Sequence, residues 1–159
     1  MSLMWMFALY ELLRTWRQRV QSLLRTYERI RTLPNDVRAQ ALKQEADALR
    51  STREDANLAL DYQRESILNL AGPSFASNLT KAYALLEPIF RRVEALRVTL
   101  AKHEIPKSKG LVAFAPGYGR IDQLTGSIYW QIDLKGDTVD VVNRRSIAED
   151  VRRMDLNAI

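Results

Sequence analysis

Apolar residues recur along the first part of the chain in alternating steps of three and four. Met6, Leu9, Leu13, Trp16, Val20, Leu23, Tyr27 and Ile30 follow one another this way with no polar member. Such spacing returns each side chain to one face of an α-helix, and kept up over this length it makes a heptad-type seam. The seam predicts one long helix. It ends at Leu33-Pro34-Asn35-Asp36, where proline cannot continue a helix and Asn35 or Asp36 can cap the next.

A second seam runs through Leu42, Ala46, Leu49, Arg53, Ala56, Leu60, Gln63, Ile67 and Leu70. It predicts a helix over 36–70, narrower because two members are alanine and two are polar. Ala71-Gly72-Pro73-Ser74 supplies the stop and turn. A third seam reads Phe75, Leu79, Ala82, Leu86, Ile89, Val93, Leu96, Leu100 and His103. Pro88 lies inside it, yet the apolar phase passes through unshifted. One kinked helix is therefore expected, ending at Ile105-Pro106.

The last third has a different period. Gly110 to Ala115 is a short apolar run closed by Pro116-Gly117-Tyr118-Gly119, a strand and a turn. Ser127 to Leu134 alternates, with Ile128, Trp130, Ile132 and Leu134 on one face, and Thr138 to Val142 follows. A two-residue turn at Gly136-Asp137 would set Leu134 against Val139 and Ile132 against Val141, gathering the apolar residues on one side. The same register sets Asp133 against Asp140. Ser146-Ile147-Ala148-Glu149 reads as a capping box that opens a short last helix. The expected fold is mainly α (α+β): a long antiparallel helical hairpin and a third kinked helix forming a bundle over 1–105, then a small β-hairpin module with a short C-terminal helix over 106–159. With the hairpin turning at Pro34-Asn35, Arg53 falls against Trp16, where a guanidinium over an indole accounts for a charged seam residue.

Composition narrows the chemistry. In 159 residues there is no cysteine and a single histidine, His103. Disulfides, thiolate metal sites and cysteine nucleophiles are excluded, as is any site needing two imidazoles from one chain. Arg97 and His103 lie six residues apart near the end of a helical bundle. That spacing is similar to the signature of HEPN-type ribonucleases, although Val98 stands where that family tends to have a polar residue. The resemblance covers these two residues and implies RNA cleavage. The alternative, adopted here, places Arg97 on a solvated face and His103 at a helix C-terminus, where an imidazolium is favoured by the dipole. Asp133 and Asp140 alone make a poor metal site. No catalytic residue, metal or cofactor is expected.

The net charge is +5, from 24 basic and 19 acidic residues. Nucleic acid or an anionic membrane is permitted as a partner but not demanded. Lys107, Lys109, Arg120, Arg144 and Arg145 are the candidate anion-binding residues. Arg144 and Arg145 would precede the last helix, at the end of its dipole that disfavours cations, and that conflict with local electrostatics points to an anionic partner.

The N-terminal helix carries the other candidate surface. Up to Leu13 it is apolar at flanking positions as well as on its seam, and Trp5, Phe7, Tyr10, Leu12 and Trp16 are the expected interface. The uncharged opening run of ten residues rises about 15 Å as a helix, half the hydrocarbon core of a bilayer, so no transmembrane span is expected. Arginines follow that run where a signal peptide would have them before it. Peripheral membrane contact through residues 3–13 remains open. The expectation is a cytoplasmic, non-enzymatic assembly or scaffold protein, working through helix–helix contacts in a homo-oligomer or larger complex. A nucleic-acid-binding accessory protein is the alternative, and a ribonuclease of HEPN type the third.

Overall fold

The structure, a computed structural model, describes residues 2–49, 58–72, 74–102, 112–113, 119–134 and 138–154. In chain order these form α1 (Ser2–Ile30), α2 (Asn35–Ala48), α3 (Leu58–Asn69), α4 (Phe75–Lys102), β1 (Val112–Ala113), β2 (Arg120–Ile121), β3 (Ile128–Leu134), β4 (Thr138–Asn143) and α5 (Arg144–Arg153). The protein is mainly helical, with a small antiparallel sheet and a short helix after it. Every described member of the three apolar seams is buried or half-buried. Pro88 lies within α4 without ending it. Proline has no amide to donate to the Ala84 carbonyl, and both Pro88 and Ala84 are exposed.

The described residues of Met1–Trp16 and Ala84–Ala158 form one compact unit, and those of Arg17–Tyr83 a second. In the first, the sheet and α5 share a single core with the helices. Trp130 and Ile132 of β3, Val142 of β4 and Ile147 of α5 are buried with Met6, Tyr10 and Leu13 of α1 and with Ile89, Phe90, Val93 and Leu96 of α4. These four residues of the 106–159 segment thus pack with α1 and α4.

β3 is the central strand. β4 pairs along one edge, and β1 and β2 share the other. The β3–β4 register departs from the expected one. Leu134 lies opposite Thr138, Ile132 opposite Asp140, and Gln131 opposite Val141. A one-residue change sends every β4 side chain to the other face. Val141 is therefore exposed, and Asp133 is paired in the ladder with Val139 and not with Asp140. The reason lies in α4. Arg92 brings Nε to 2.6 Å from Asp140 Oδ2, pairs through Nη1 with Asp150, and donates through Nη2 to the Val141 carbonyl at 3.2 Å. An aspartate can face the core side of β4 because a cation meets it there.

The start of α5 also differs. Asn143 is the N-cap: its side chain accepts from the Ser146 amide at 2.7 Å, and Ser146 Oγ accepts from the Asn143 amide at 3.3 Å. The capping box thus runs from Asn143 to Ser146. Arg144 and Arg145, expected ahead of the helix, are its first two residues.

In the second unit, Ile30 of α1, Leu42 and Ala46 of α2, Ile67 and Leu70 beside α3, and Ala76 of α4 form the core, with Leu23, Tyr27 and Leu49 packed against it. α1 and α2 pack together, as the hairpin requires. Arg29 reaches Glu45 at 2.6 Å, and Arg38 Nη2 donates to the carbonyls of Arg31 and Leu33 at 2.9 and 3.2 Å, satisfying the end of α1. The single helix expected over 36–70 is not continuous. Arg64 of α3 pairs with Asp47 of α2 at 2.7 Å, whereas seventeen residues of unbroken helix would separate them by about 25 Å. The residues between, 50–57, lie outside the described residues. The expected stacking of Arg53 on Trp16 lies outside the described residues.

Candidate interaction surfaces

The face of α1 expected to meet a partner is divided between core and solvent. Tyr10 is buried: its ring stacks on Phe90 with centroids 5.8 Å apart, and the Arg97 guanidinium lies 5.1 Å from its ring centre. Trp5 is half-buried and packs against the same core. Trp16 is half-buried too. Phe7 is half-buried, while Leu3, Met4, Ala8 and Leu12 are exposed, Met4 at 78% and Leu12 at 66%. Met4, Ala8 and Leu12 are four residues apart and share one stripe of the helix. Of the five expected interface residues Leu12 is thus exposed, Trp5, Phe7 and Trp16 are half-buried, and Tyr10 is taken up by the core, where the apolar arc closes over Phe90 of α4 and over the sheet.

Arg97 has a structural task in this unit, between the Tyr10 ring and Glu11 Oε1 at 3.8 Å. His103 lies outside the described residues. Among the described residues, no three histidine, aspartate or glutamate side chains gather in metal-binding geometry, and no helix is long and apolar enough to cross a membrane.

Lys107 and Lys109 also lie outside the described residues. Arg120, Arg144 and Arg145 are exposed. The other described arginines of this unit have acidic partners: Arg14 with Glu11, Arg91 with Glu87, Arg92 with Asp140 and Asp150, Arg97 with Glu11, Arg152 and Arg153 with Glu149. Arg120, Arg144 and Arg145 make no ion pair with any described residue. Arg120 lies opposite Tyr129 and projects from the other face of the sheet than Ile121 and Ile128. Arg144 and Arg145 line an open groove of about 670 Å³ with Trp5 of α1, Thr125, Gly126, Ser127 and Ile128, and Ala148 and Glu149 of α5.

The groove depends on a close approach. At Gly119, leading into β2, a Cβ would lie 2.4 Å from Ile128 Cγ2 and 3.2 Å from Trp130 Nε1. Glycine there lets β2 lie flat against β3 and sets the Thr125–Ile128 wall in place. No single signal in the sequence joins Trp5 to this wall, since more than a hundred residues separate them.

No protein-family model matches this chain, and no curated protein or solved structure matches it either, so its functional reading rests on these residues.

Proposed function

We propose that the protein is a non-catalytic assembly component that acts through helix–helix contact, its α1 surface meeting the same surface of a second copy. The observation that supports this is the exposed stripe of Met4, Ala8 and Leu12, with Leu3 exposed and Phe7 half-exposed beside it, on a helix whose opposite face is fully committed to its own core. Two such stripes are self-complementary about a two-fold axis, and the small Ala8 between two large residues allows close approach. An apolar face of this kind costs free energy in water in proportion to its area, and covering it stabilises by about 25 cal/mol per Å².

The test is mass in solution at low and high salt. Hydrophobic association persists or strengthens as salt rises, whereas phosphate binding weakens steeply. The expected result is a dimer or larger species whose mass does not change with salt. Met4→Glu with Leu12→Glu reduces it to a monomer with unchanged helical circular dichroism, since neither side chain belongs to the core. A stable monomer of about 18 kDa that binds RNA or DNA only at low salt would overturn assembly in favour of nucleic-acid binding.

A further inference from the structure

The turn between β2 and β3 is tightly bonded within itself. Asp122 Oδ1 accepts from the amides of Leu124 and Thr125 at 2.8 and 3.1 Å, its carbonyl accepts from Gly126 at 2.8 Å, and its amide donates to the Ser127 carbonyl at 2.9 Å. Gly126 takes a φ of 63°, a conformation that side chains with a Cβ rarely adopt. At the apex Leu124 is 97% exposed, and Ile121 and Ile128, opposite each other at the base, are exposed as well. A hydrogen-bonded turn therefore holds an apolar tip away from the core of its own unit.

Beside this tip lies the groove. Thr125 and Ser127 supply hydroxyls, Arg144 and Arg145 supply guanidinium groups without ion-pair partners among the described residues, and Trp5 supplies an indole. Glu149 lines the groove too, but its carboxylate is engaged by Arg152 at 2.9 Å and by Arg153 at 3.8 Å. The Asp122 carboxylate is engaged within the turn. Among the described residues of the groove and turn, the charge left for a partner is positive.

We infer that this edge docks on an anionic lipid surface. Leu124 and Ile121 enter the boundary of the acyl chains, Trp5 takes the interfacial depth that indoles favour, and Arg144 and Arg145 meet headgroup oxygens. Charge complementarity selects the anion, and the apolar tip selects lipid among anionic partners. A nucleic acid would use the two arginines and Trp5 but gains nothing from Leu124, Ile121 and Ile128. A fluid bilayer accepts a convex apolar tip without a matching pocket. The surface is separate from the Met4–Ala8–Leu12 stripe, so the inference stands apart from self-assembly.

The experiment is co-flotation of the full chain with vesicles of phosphatidylcholine alone, or with about one-third phosphatidylserine added. The expected result is binding to the anionic vesicles only, weakening as salt rises. Arg144→Ala with Arg145→Ala lowers the partition coefficient about thirtyfold, and Leu124→Ser lowers it about tenfold. Val37→Ser, an exposed apolar change in the second unit, leaves it unchanged. Binding to neither vesicle, equal binding to both, or binding indifferent to Leu124→Ser overturns the inference. So does RNA or DNA binding that the arginine substitutions abolish and Leu124→Ser does not, or lipid-independent binding of an acidic protein through the same residues. Solution mass measured on the same variants reports separately on self-assembly.

Discussion

Replacing Arg92 by methionine keeps most of the hydrocarbon stem and removes the guanidinium that serves two carboxylates and a carbonyl. The arginine side chain keeps 18% of its exposure, Asp140 29% and Asp150 40%. An exposed ion pair contributes about 0.5 kcal/mol, whereas stranding a buried charge costs about 3–5. The Asp140 pair lies between these limits. Its 2.6 Å approach favours a large value, but Arg92 Nε makes no aligned hydrogen bond, so about 2 kcal/mol is appropriate. The Asp150 pair counts at the exposed value, about 0.5 kcal/mol, and the 3.2 Å bond to the Val141 carbonyl at about 0.5 kcal/mol. Arg92→Met should therefore destabilise the first unit by about 3 kcal/mol. Trp5, Trp16 and Trp130 all belong to that unit, so urea unfolding followed by tryptophan fluorescence reports on it directly. With a slope of about 1.5 kcal/mol per molar, the midpoint falls by about 2 M. Adding Asp140→Asn and Asp150→Asn to Arg92→Met should recover about half of the loss, because the stranded charges are then gone. A loss under about 1 kcal/mol, or no recovery on neutralising the aspartates, would show that apolar contacts alone hold the β3–β4 register.

Gly119→Ala introduces a methyl 2.4 Å from Ile128 Cγ2; overpacking of this kind costs about 1–3 kcal/mol, and an unchanged unfolding midpoint would contradict the described approach of β2 to β3. Arg97→Ala should cost about 1 kcal/mol through its loss from the Tyr10 ring, and His103→Ala should leave any biological activity intact. Loss of an RNA-cleaving activity in both variants, with folding unchanged, would reinstate the ribonuclease reading.

The helical periodicity was legible because it is local. A residue three or four places along returns to the same face whatever surrounds it, so the seams from Met6 to Ile30 and from Phe75 to Leu100 could be read without knowing what covers them. The alternation from Ile128 to Leu134 was legible for the same reason. The break after α2 was harder to see, since Leu60, Gln63, Ile67 and Leu70 keep the same spacing on either reading. What separates the two readings is Arg64 meeting Asp47, a contact between helices.

Three features depended on groups distant in sequence. Apolar count alone favoured the hairpin register that places Val139 and Val141 inward, and Arg92, some fifty residues earlier, reverses that preference by meeting Asp140. Tyr10 was legible as an apolar flank of α1, but its burial was decided by the stacked ring of Phe90 and the guanidinium of Arg97. Arg144 and Arg145 were recognisable as misplaced cations, but the groove they share with Trp5 exists only once α1, the β2–β3 turn and α5 are packed together. Period and capping chemistry act over a few residues, and the sequence alone determined them here. Register, burial and the meeting of charges depend on which surfaces the chain brings into contact, and only the tertiary structure decided those.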